Sequence, residues 1–408
     1  MTRICIISEN HFRGGLETVI VSLLDSYSKL QVEITLITNS TNPSLELVRE
    51  RSYKNLEILE LPLLVTNSFF ALNVSRGSKI DPAVVIAKDI LRKILEIPLL
   101  LSSARRFRKI FTQKKFDAGL IVNGGYPGSL FCRASAIGWT SNNRQSSLTM
   151  AIHNLVVPSR RGFASIDYLI DRWVFKSIDH LVTVSETCSK TFRLRKATSI
   201  LKAIVIPNGI RKSNAPSSQS FKVNRCSILM LASYEDRKGH EFLFKCFARV
   251  LMSVPDARLT CAGDDPMNKI PGLQNIAKEL NIDNAITLLP YQSNGDALLE
   301  LCDIVAIPSQ SMESFCLVAA EALVRGKPIV GTNIGAIPET APSGHGSLLF
   351  APDDIEGFSS ALVQLLTDSN LHESTSNLAF ERSAQLFDEY AVALTYLQLA
   401  FPEREMVK

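Results

Sequence analysis

Along nearly the whole chain, short apolar runs rich in β-branched residues alternate with segments whose apolar positions recur every three or four residues. Residues 4–8 form the first strand-like run, 16–27 carry helical spacing, and 32–38 are strand-like again. Further strand-like runs occupy 56–61, 118–122, 148–152, 181–185 and 203–207. After a break the alternation restarts: 227–232, a helix at 240–251, strands at 257–263, 285–289 and 304–308, a helix at 317–324, a strand at 328–332. This order predicts an α/β protein with parallel sheets covered by helices on both faces. The break, 208–224, is rich in Ser, Asn, Gly and Pro and reads as a linker. It separates two Rossmann-like, doubly wound domains, 1–207 and 208–384, with a C-terminal helix at 385–408 that can pack back on the first. Open sheets bind ligands beyond the carboxyl ends of their strands, so two such domains facing one another would enclose a cleft.

Composition narrows the class. Of 408 residues 46% are hydrophobic and 21% charged, near the roughly 45–50% and 25% of ordinary globular domains, which excludes a mainly disordered chain. A net charge of +4 excludes a general nucleic-acid binder, whose footprint is a basic stripe and a pI above about 9. The charge is local instead. Between Lys88 and Lys115 nine basic residues meet two acidic ones, a net +7, so the other 380 residues sum to −3. None of the eight cysteines forms C-x-x-C and most sit in apolar runs, so they read as buried, reduced thiols. The first residues turn polar too soon for a signal peptide, and no stretch approaches 18 uninterrupted apolar residues. A cytoplasmic location is the expectation.

Three loops could carry chemistry. Arg13-Gly14-Gly15-Leu16-Glu17 joins the first strand to its helix, where glycines let a ligand approach the backbone and the helix N-terminus favours an anion. A tight turn explains the glycines equally well. No G-x-G-x-x-G and no G-x-x-x-x-G-K-[ST] occurs, against a dinucleotide-dependent dehydrogenase and a P-loop NTPase. The loop after the linker carries Arg237-Lys238-Gly239, whose cations could pair with a diphosphate or simply be solvated. Glu313 and Glu321 stand eight residues apart with a helix beginning between them, roughly 12 Å if mostly helical. Carboxylates accept hydrogen bonds from sugar and ribose hydroxyls, and amides near Phe315, Cys316 and Leu317 could bind phosphate. The plainer alternative makes Glu313 a helix cap and Glu321 a surface charge. Glu321 lies among Ala319, Ala320, Ala322 and Leu323, so it is expected on a packed helix and in need of a partner.

Gly14-Gly15-Leu16-Glu17, Val205-Ile206-Pro207-Asn208-Gly209-Ile210, Arg237-Lys238-Gly239, the E-x7-E pair, Arg325-Gly326-Lys327-Pro328 and Gly335-Ala336-Ile337-Pro338-Glu339 follow in that order. Together they resemble glycosyltransferase family 4, whose members are retaining, nucleotide-sugar-dependent hexosyltransferases of the GT-B fold. The resemblance runs from Ile4 to about Asp354, strongest from Leu231 onward and weaker between Leu61 and Leu148. It implies that Gly15 meets the donor diphosphate and that His153 contacts the donor sugar near the reacting carbon. It implies that Arg237 and Lys238 neutralise the leaving phosphate and Glu313 holds the sugar hydroxyls. Phe315, Cys316 and Leu317 would give amides to phosphate and sugar, and Glu321 would bind the ribose. His153, Lys238 and Glu313 are the catalytic candidates. The donor is a substrate, so no cofactor is implied, and with no Asp-x-Asp in the chain no metal is expected.

Two positions depart from the family. Ser233 stands where an Arg is common, and Cys316 where Gly is usual; a left-handed backbone there would strain a cysteine. Two rival readings follow: a GT-B nucleotide-sugar epimerase or phosphorylase, or a catalytically impaired protein that binds nucleotide sugar or carbohydrate. The resemblance implies a saccharide or lipid-linked acceptor, as in surface polysaccharide or glycolipid synthesis. Residues 83–97 have apolar positions at 83, 86, 87, 90, 91, 94 and 95 and charges between them, the pattern of an amphipathic helix. With the basic cluster at 105–109, residues 83–115 are expected either to pack on the first domain or to touch anionic membrane from the cytoplasmic side.

Overall fold

The computed structural model describes residues 2–11, 14–62, 82–140, 146–159, 162–211 and 226–402, with the backbone alone at 82–90, 92, 140, 198–199 and 384–385. The chain forms two compact units, Met1–Ile206 with Tyr390–Lys408, and Pro207–Glu389. Residues 212–224 of the linker lie outside the described residues.

Unit 1 runs β1 (Thr2–Ser8), α1 (Gly15–Tyr27), β2 (Val32–Asn39), α2 (Ser44–Arg51), β3 (Leu56–Leu61), α3 (Pro82–Lys114) and β4 (Ala118–Asn123). It continues with α4 (Leu130–Thr140), β5 (Ser147–Ile152), α5 (Ala164–Phe175), β6 (His180–Thr183), α6 (Glu186–Thr191) and β7 (Ala203–Val205). The strands form one parallel sheet in the order β3-β2-β1-β4-β5-β6-β7. Ile6 pairs with Leu36 on one side and Leu120 on the other. Residues Ile4, Cys5, Ile6 and Ile7 are all buried, so β1 shows no in-out alternation and is covered on both faces.

Unit 2 repeats the plan with β8 (Ser227–Leu231), α7 (His240–Ser253), β9 (Arg258–Ala262), α8 (Ile270–Glu279), β10 (Ile286–Leu289), α9 (Gly295–Leu301) and β11 (Ile304–Ile307). Then come α10 (Leu317–Leu323), β12 (Ile329–Thr332), α11 (Ile337–Thr340), β13 (Ser347–Phe350), α12 (Ile355–Thr367) and α13 (Ser369–Leu386). Its parallel sheet is ordered β10-β9-β8-β11-β12-β13. Met230, Cys261 and Ile304 from the sheet pack with Leu243 and Phe247 of α7 and Phe358 of α12. A last helix, α14 (Glu389–Ala400), belongs to unit 1, where the Tyr27 hydroxyl donates to the Ala393 carbonyl at 3.2 Å.

In both sheets the strand order reverses beside the first strand, between β1 and β4 and between β8 and β11. Such switch points open a crevice at the carboxyl ends of the strands, where ligands bind in open α/β sheets. The Gly14-Gly15 turn follows β1, the Arg237-Lys238 loop follows β8, and the loop carrying Glu313 follows β11.

Two features differ from the sequence expectation. α3 continues through Pro98 to Lys114 instead of ending near 97. A proline inside a helix costs about 3 kcal/mol. Here buried Leu100, Ala104, Phe107 and Phe111 offset it, with Phe107 edge-on to Phe131 at 4.8 Å and Phe111 edge-on to Trp139 at 4.9 Å. Cys226 and Cys316 are half-exposed, while the other six cysteines are buried; all eight are free thiols. No helix among the described residues is long and apolar enough to cross a membrane.

Candidate active site

In unit 2 the loops after adjacent strands β8 and β11 are pinned together at the switch point. The Gln310 amide donates to the Arg237 carbonyl at 2.7 Å. Gly239, at φ 80°, ends the short 3-10 turn Asp236–Lys238. A Cβ on Gly239 would lie 2.0 Å from the Pro308 carbonyl oxygen, so only glycine permits this approach. On the other side the Ala336 amide donates to the Glu313 carbonyl at 3.0 Å. Gly335, at φ 57°, passes so close that a Cβ would meet that same oxygen at 2.4 Å. The motifs around Gly239 and Gly335 thus clamp the loop that carries Glu313, the first at Pro308 and Gln310 and the second at Glu313 itself.

Glu313 is 5% exposed. Its Oε1 receives Lys238 Nζ at 2.5 Å and Ser309 Oγ at 2.7 Å, with Arg237 Nη1 at 3.7 Å. All three converge on one oxygen. Among the described residues no donor reaches Oε2, which keeps lone pairs for a ligand hydroxyl. Glu313 is therefore not a helix cap; the N-cap of α10 is Cys316. Arg237 is held by Glu235 through Nε at 2.7 Å and Nη2 at 3.4 Å, and Ser233 Oγ donates to the same carboxylate at 2.7 Å. Ser233, where an Arg is common in the family, thus orients Glu235. Burial would raise the Glu235 carboxyl, but Arg237, Ser233 and Lys238 hold it below its ordinary value.

Cys316 has φ 69° and ψ 72°, in the left-handed region. Burial, with the nearby Glu313 charge next, pushes its thiol up to about 12, so it is neutral. Phe315 before it is buried against Phe387, ring edge to face at 5.8 Å, and its carbonyl accepts from the Thr340 hydroxyl. Leu317 opens the two-turn α10. On that helix Glu321 is half-buried, and burial, opposed by Arg325, pushes its carboxyl up to about 7. The Arg325 guanidinium is engaged by Asp296 at 2.7 Å, Glu300 at 3.4 Å and the Glu321 carbonyl at 2.9 Å. The Glu321 carboxylate accepts no hydrogen bond from the described residues. The partner expected from its small apolar neighbours is not among the described residues.

Gly15 and His153 lie in unit 1. Gly15 begins α1, and Gly14 before it has the extended φ of 165°, with no atom of the described residues other than its chain neighbours within 4 Å of a built Cβ. Among the described residues neither conformation nor packing requires glycine at 14. Arg13 lies outside the described residues. His153 follows β5, half-buried, its amide donating to the Asn123 carbonyl at 3.0 Å. Among the described residues no three His, Cys, Asp or Glu side chains gather as a metal site requires. Sequence reasoning missed Ser309 and Glu235. Both are common loop residues, and their contacts to Glu313 and Arg237 were the only signal.

Two families match in succession: Glycosyltransferase Family 4 over residues 13–213 and Glycosyl transferases group 1 over 212–382. The N-acetyl-alpha-D-glucosaminyl L-malate synthase of Bacillus anthracis is 29% identical over 179 residues, 44% of this chain and 45% of that protein. The D-inositol 3-phosphate glycosyltransferase of Corynebacterium aurimucosum is 32% identical over 167 residues, 40% of this chain and 39% of that protein. The chain thus spans about half the length of the curated relatives it matches. A glycosyltransferase from Rickettsia africae superposes with a TM-score of 0.73 at 15% identity, covering 98% of this chain and 97% of that one. HepE of Anabaena, solved in complex with UDP, gives 0.69 at 14% identity, covering 97% and 99%.

Proposed function

The chain belongs to the glycosyltransferases of group 1 and family 4 and has their GT-B fold, and from that premise we propose that it transfers a sugar from a UDP- or GDP-linked donor to a saccharide or lipid-linked acceptor. Transfer proceeds with retention and without a metal, in surface polysaccharide or glycolipid synthesis. The observation that carries the reading is Glu313, buried and charge-paired through Oε1 alone, beside Lys238 at a switch point. A buried carboxylate with one oxygen committed to cations and the other available suits a sugar hydroxyl placed next to a phosphate.

In this reading unit 2 holds the donor. Glu321 accepts from the ribose, Arg237 and Lys238 face the diphosphate, and Phe315, Cys316 and Leu317 lie beside phosphate and sugar. Gly15 is assigned to the diphosphate and His153 to the reacting sugar. Departure of the nucleoside diphosphate is the step most in need of help. Lys238 meets the charge that develops on the leaving oxygen, a contribution of about 3 kcal/mol in a water-poor site. The acceptor hydroxyl attacks from the leaving-group face and its proton passes to the departing phosphate, so no carboxylate base is required.

Incubation with donor and no acceptor, followed by NMR of the released sugar, tests this. Release of sugar with the donor's anomeric configuration supports retaining transfer; an epimerised sugar would instead support the epimerase reading. The left-handed Cys316 favours a second reading, a protein that binds donor without turnover. Donor that binds but stays intact would establish it.

A further inference from the structure

The charged and apolar residues of α3 and α5 are distributed against the usual rule. Lys93 and Glu96 of α3, expected to face water, point inward. Lys93 pairs with Glu96 at 2.5 Å and with Asp167 of α5, and Arg133 pairs with Glu96 at 2.7 Å. On α5 both carboxylates also face in: Arg195 binds Asp171 at 2.6 Å and approaches Asp167 at 3.7 Å. Burial would raise the Glu96 carboxyl, but Arg133 and Lys93 hold it below its ordinary value.

Among the described side chains of the two helices, none left outside is acidic. Leu91, Ile94 and Ile97 of α3 are exposed, Ile94 by 64%. Ile97 stands one turn on from Lys93, beside the ion pair that joins the two helices. α5 presents Tyr168, Leu169 and Trp173, Leu169 exposed by 63%, although Ile170, Val174 and Phe175 already supply its inward packing. Between them stands exposed Arg172, and just past the end of the helix exposed Lys176, its C-cap. Side chains 82–90 and 92 of the expected amphipathic helix lie outside the described residues.

We propose that this face of unit 1, centred on Tyr168, Leu169, Arg172 and Trp173 of α5 with Lys176 at its C-cap, and extended by Leu91, Ile94 and Ile97 of α3, docks on an anionic lipid bilayer. Aromatic and aliphatic side chains flanked by Arg and Lys match the boundary between acyl chains and headgroups. Turning every carboxylate of α5 inward leaves a purely basic outer charge, complementary to anionic lipid and repelled by nothing of its own sign on that helix. Of the contact expected through 83–115, the exposed apolar positions of α3 are kept and the basic flank is placed on Arg172 and Lys176 instead of 105–109. Arg105, Arg108 and Lys109 are exposed, but their turns of α3 bury Ala104, Phe107 and Phe111 in the unit and offer no apolar counterpart.

The chain has two tryptophans, and Trp139 is buried, so Trp173 reports on this face. The full chain is mixed with phosphatidylglycerol or phosphatidylcholine vesicles, and flotation and tryptophan emission are read without donor or acceptor. Docking is therefore separable from the transfer reaction. We expect flotation with phosphatidylglycerol, weakened by salt, and a blue-shifted emission that Trp173→Phe abolishes. Arg172→Gln with Lys176→Gln should weaken binding by about thirtyfold, and Leu169→Ser with Trp173→Ser by at least about tenfold. Circular dichroism confirms that each variant is folded. No flotation at low salt, loss of flotation only when Arg105, Arg108 and Lys109 become Gln, or concentration-dependent self-association that buries Trp173 without lipid would each overturn the assignment.

Discussion

Cys316→Gly and Cys316→Ala remove the same thiol but differ in what the backbone at φ 69° costs. At an ordinary helical position Ala is more stable than Gly by about 1 kcal/mol. In the left-handed region a side chain costs about 1–2 kcal/mol that glycine avoids. Glycine's greater backbone entropy returns roughly 0.5–1 kcal/mol to the unfolded state. The usual ranking should therefore reverse, with the Gly variant more stable than the Ala variant by roughly 0.5–1 kcal/mol. With a urea slope of about 2 kcal/mol/M the midpoints should separate by about 0.25–0.5 M. Far-UV circular dichroism of the unit 2 transition reads this directly. Because glycine is the family's usual residue, the Gly variant should also bind nucleoside diphosphate at least as tightly as wild type. An Ala variant as stable as the Gly variant would refute the left-handed mouth of α10. A tenfold loss of nucleotide affinity on Cys316→Gly would show that the thiol itself touches the ligand.

Lys238→Ala should lower kcat/KM by a factor on the order of 100 or more, since it removes one charge-stabilising donor; steady-state kinetics with wild-type values would remove Lys238 from the mechanism. Glu321→Gln tests the raised carboxyl: the folded pKa of about 7 exceeds the ordinary 4.5, so the protonated form stabilises the fold below about 4.5 and this is lost as pH rises through 7. The melting temperature of wild type minus that of Glu321→Gln should fall across that window, and a flat difference would contradict burial of the carboxyl. Nucleotide affinity of wild type should rise from pH 6 to 8 as Glu321 ionises and accepts the ribose hydroxyl, a trend calorimetry should not find in Glu321→Gln. For His153→Ala we expect turnover to vanish while free nucleotide binds normally; a large loss of affinity would place His153 on the nucleotide.

The strands were legible because buried parallel strands are dense in β-branched apolar residues, as in 4–7 and 304–307. β13 was not: four residues after Gly344 and Gly346 offer too short a run to distinguish strand from loop. The passage of α3 through Pro98 depends on Phe131 and Trp139, far along the chain, and no local pattern reports them. Glu313 and Lys238 were legible as a set only through family resemblance, since 75 residues separate them and the sheet alone brings β8 beside β11. The inward turn of Lys93 and Glu96 inverted the expected helix face for the same reason: their partners are Arg133 and Asp167. Helical periodicity counts charge as surface, and a buried ion-pair network defeats that rule.

We propose unit 2 as a nucleoside-diphosphate-sugar site built around Glu313, Lys238 and Glu321. The decisive measurement is a thermal-shift comparison of UDP, GDP, ADP and their sugar conjugates. A ligand at one hundred times its Kd should stabilise the fold by about 2.7 kcal/mol. One nucleoside diphosphate and its sugar conjugate should raise the melting temperature, Glu321→Ala should abolish both shifts, and uncharged nucleosides should do nothing. A chain unmoved by every nucleoside diphosphate and every conjugate would contradict it.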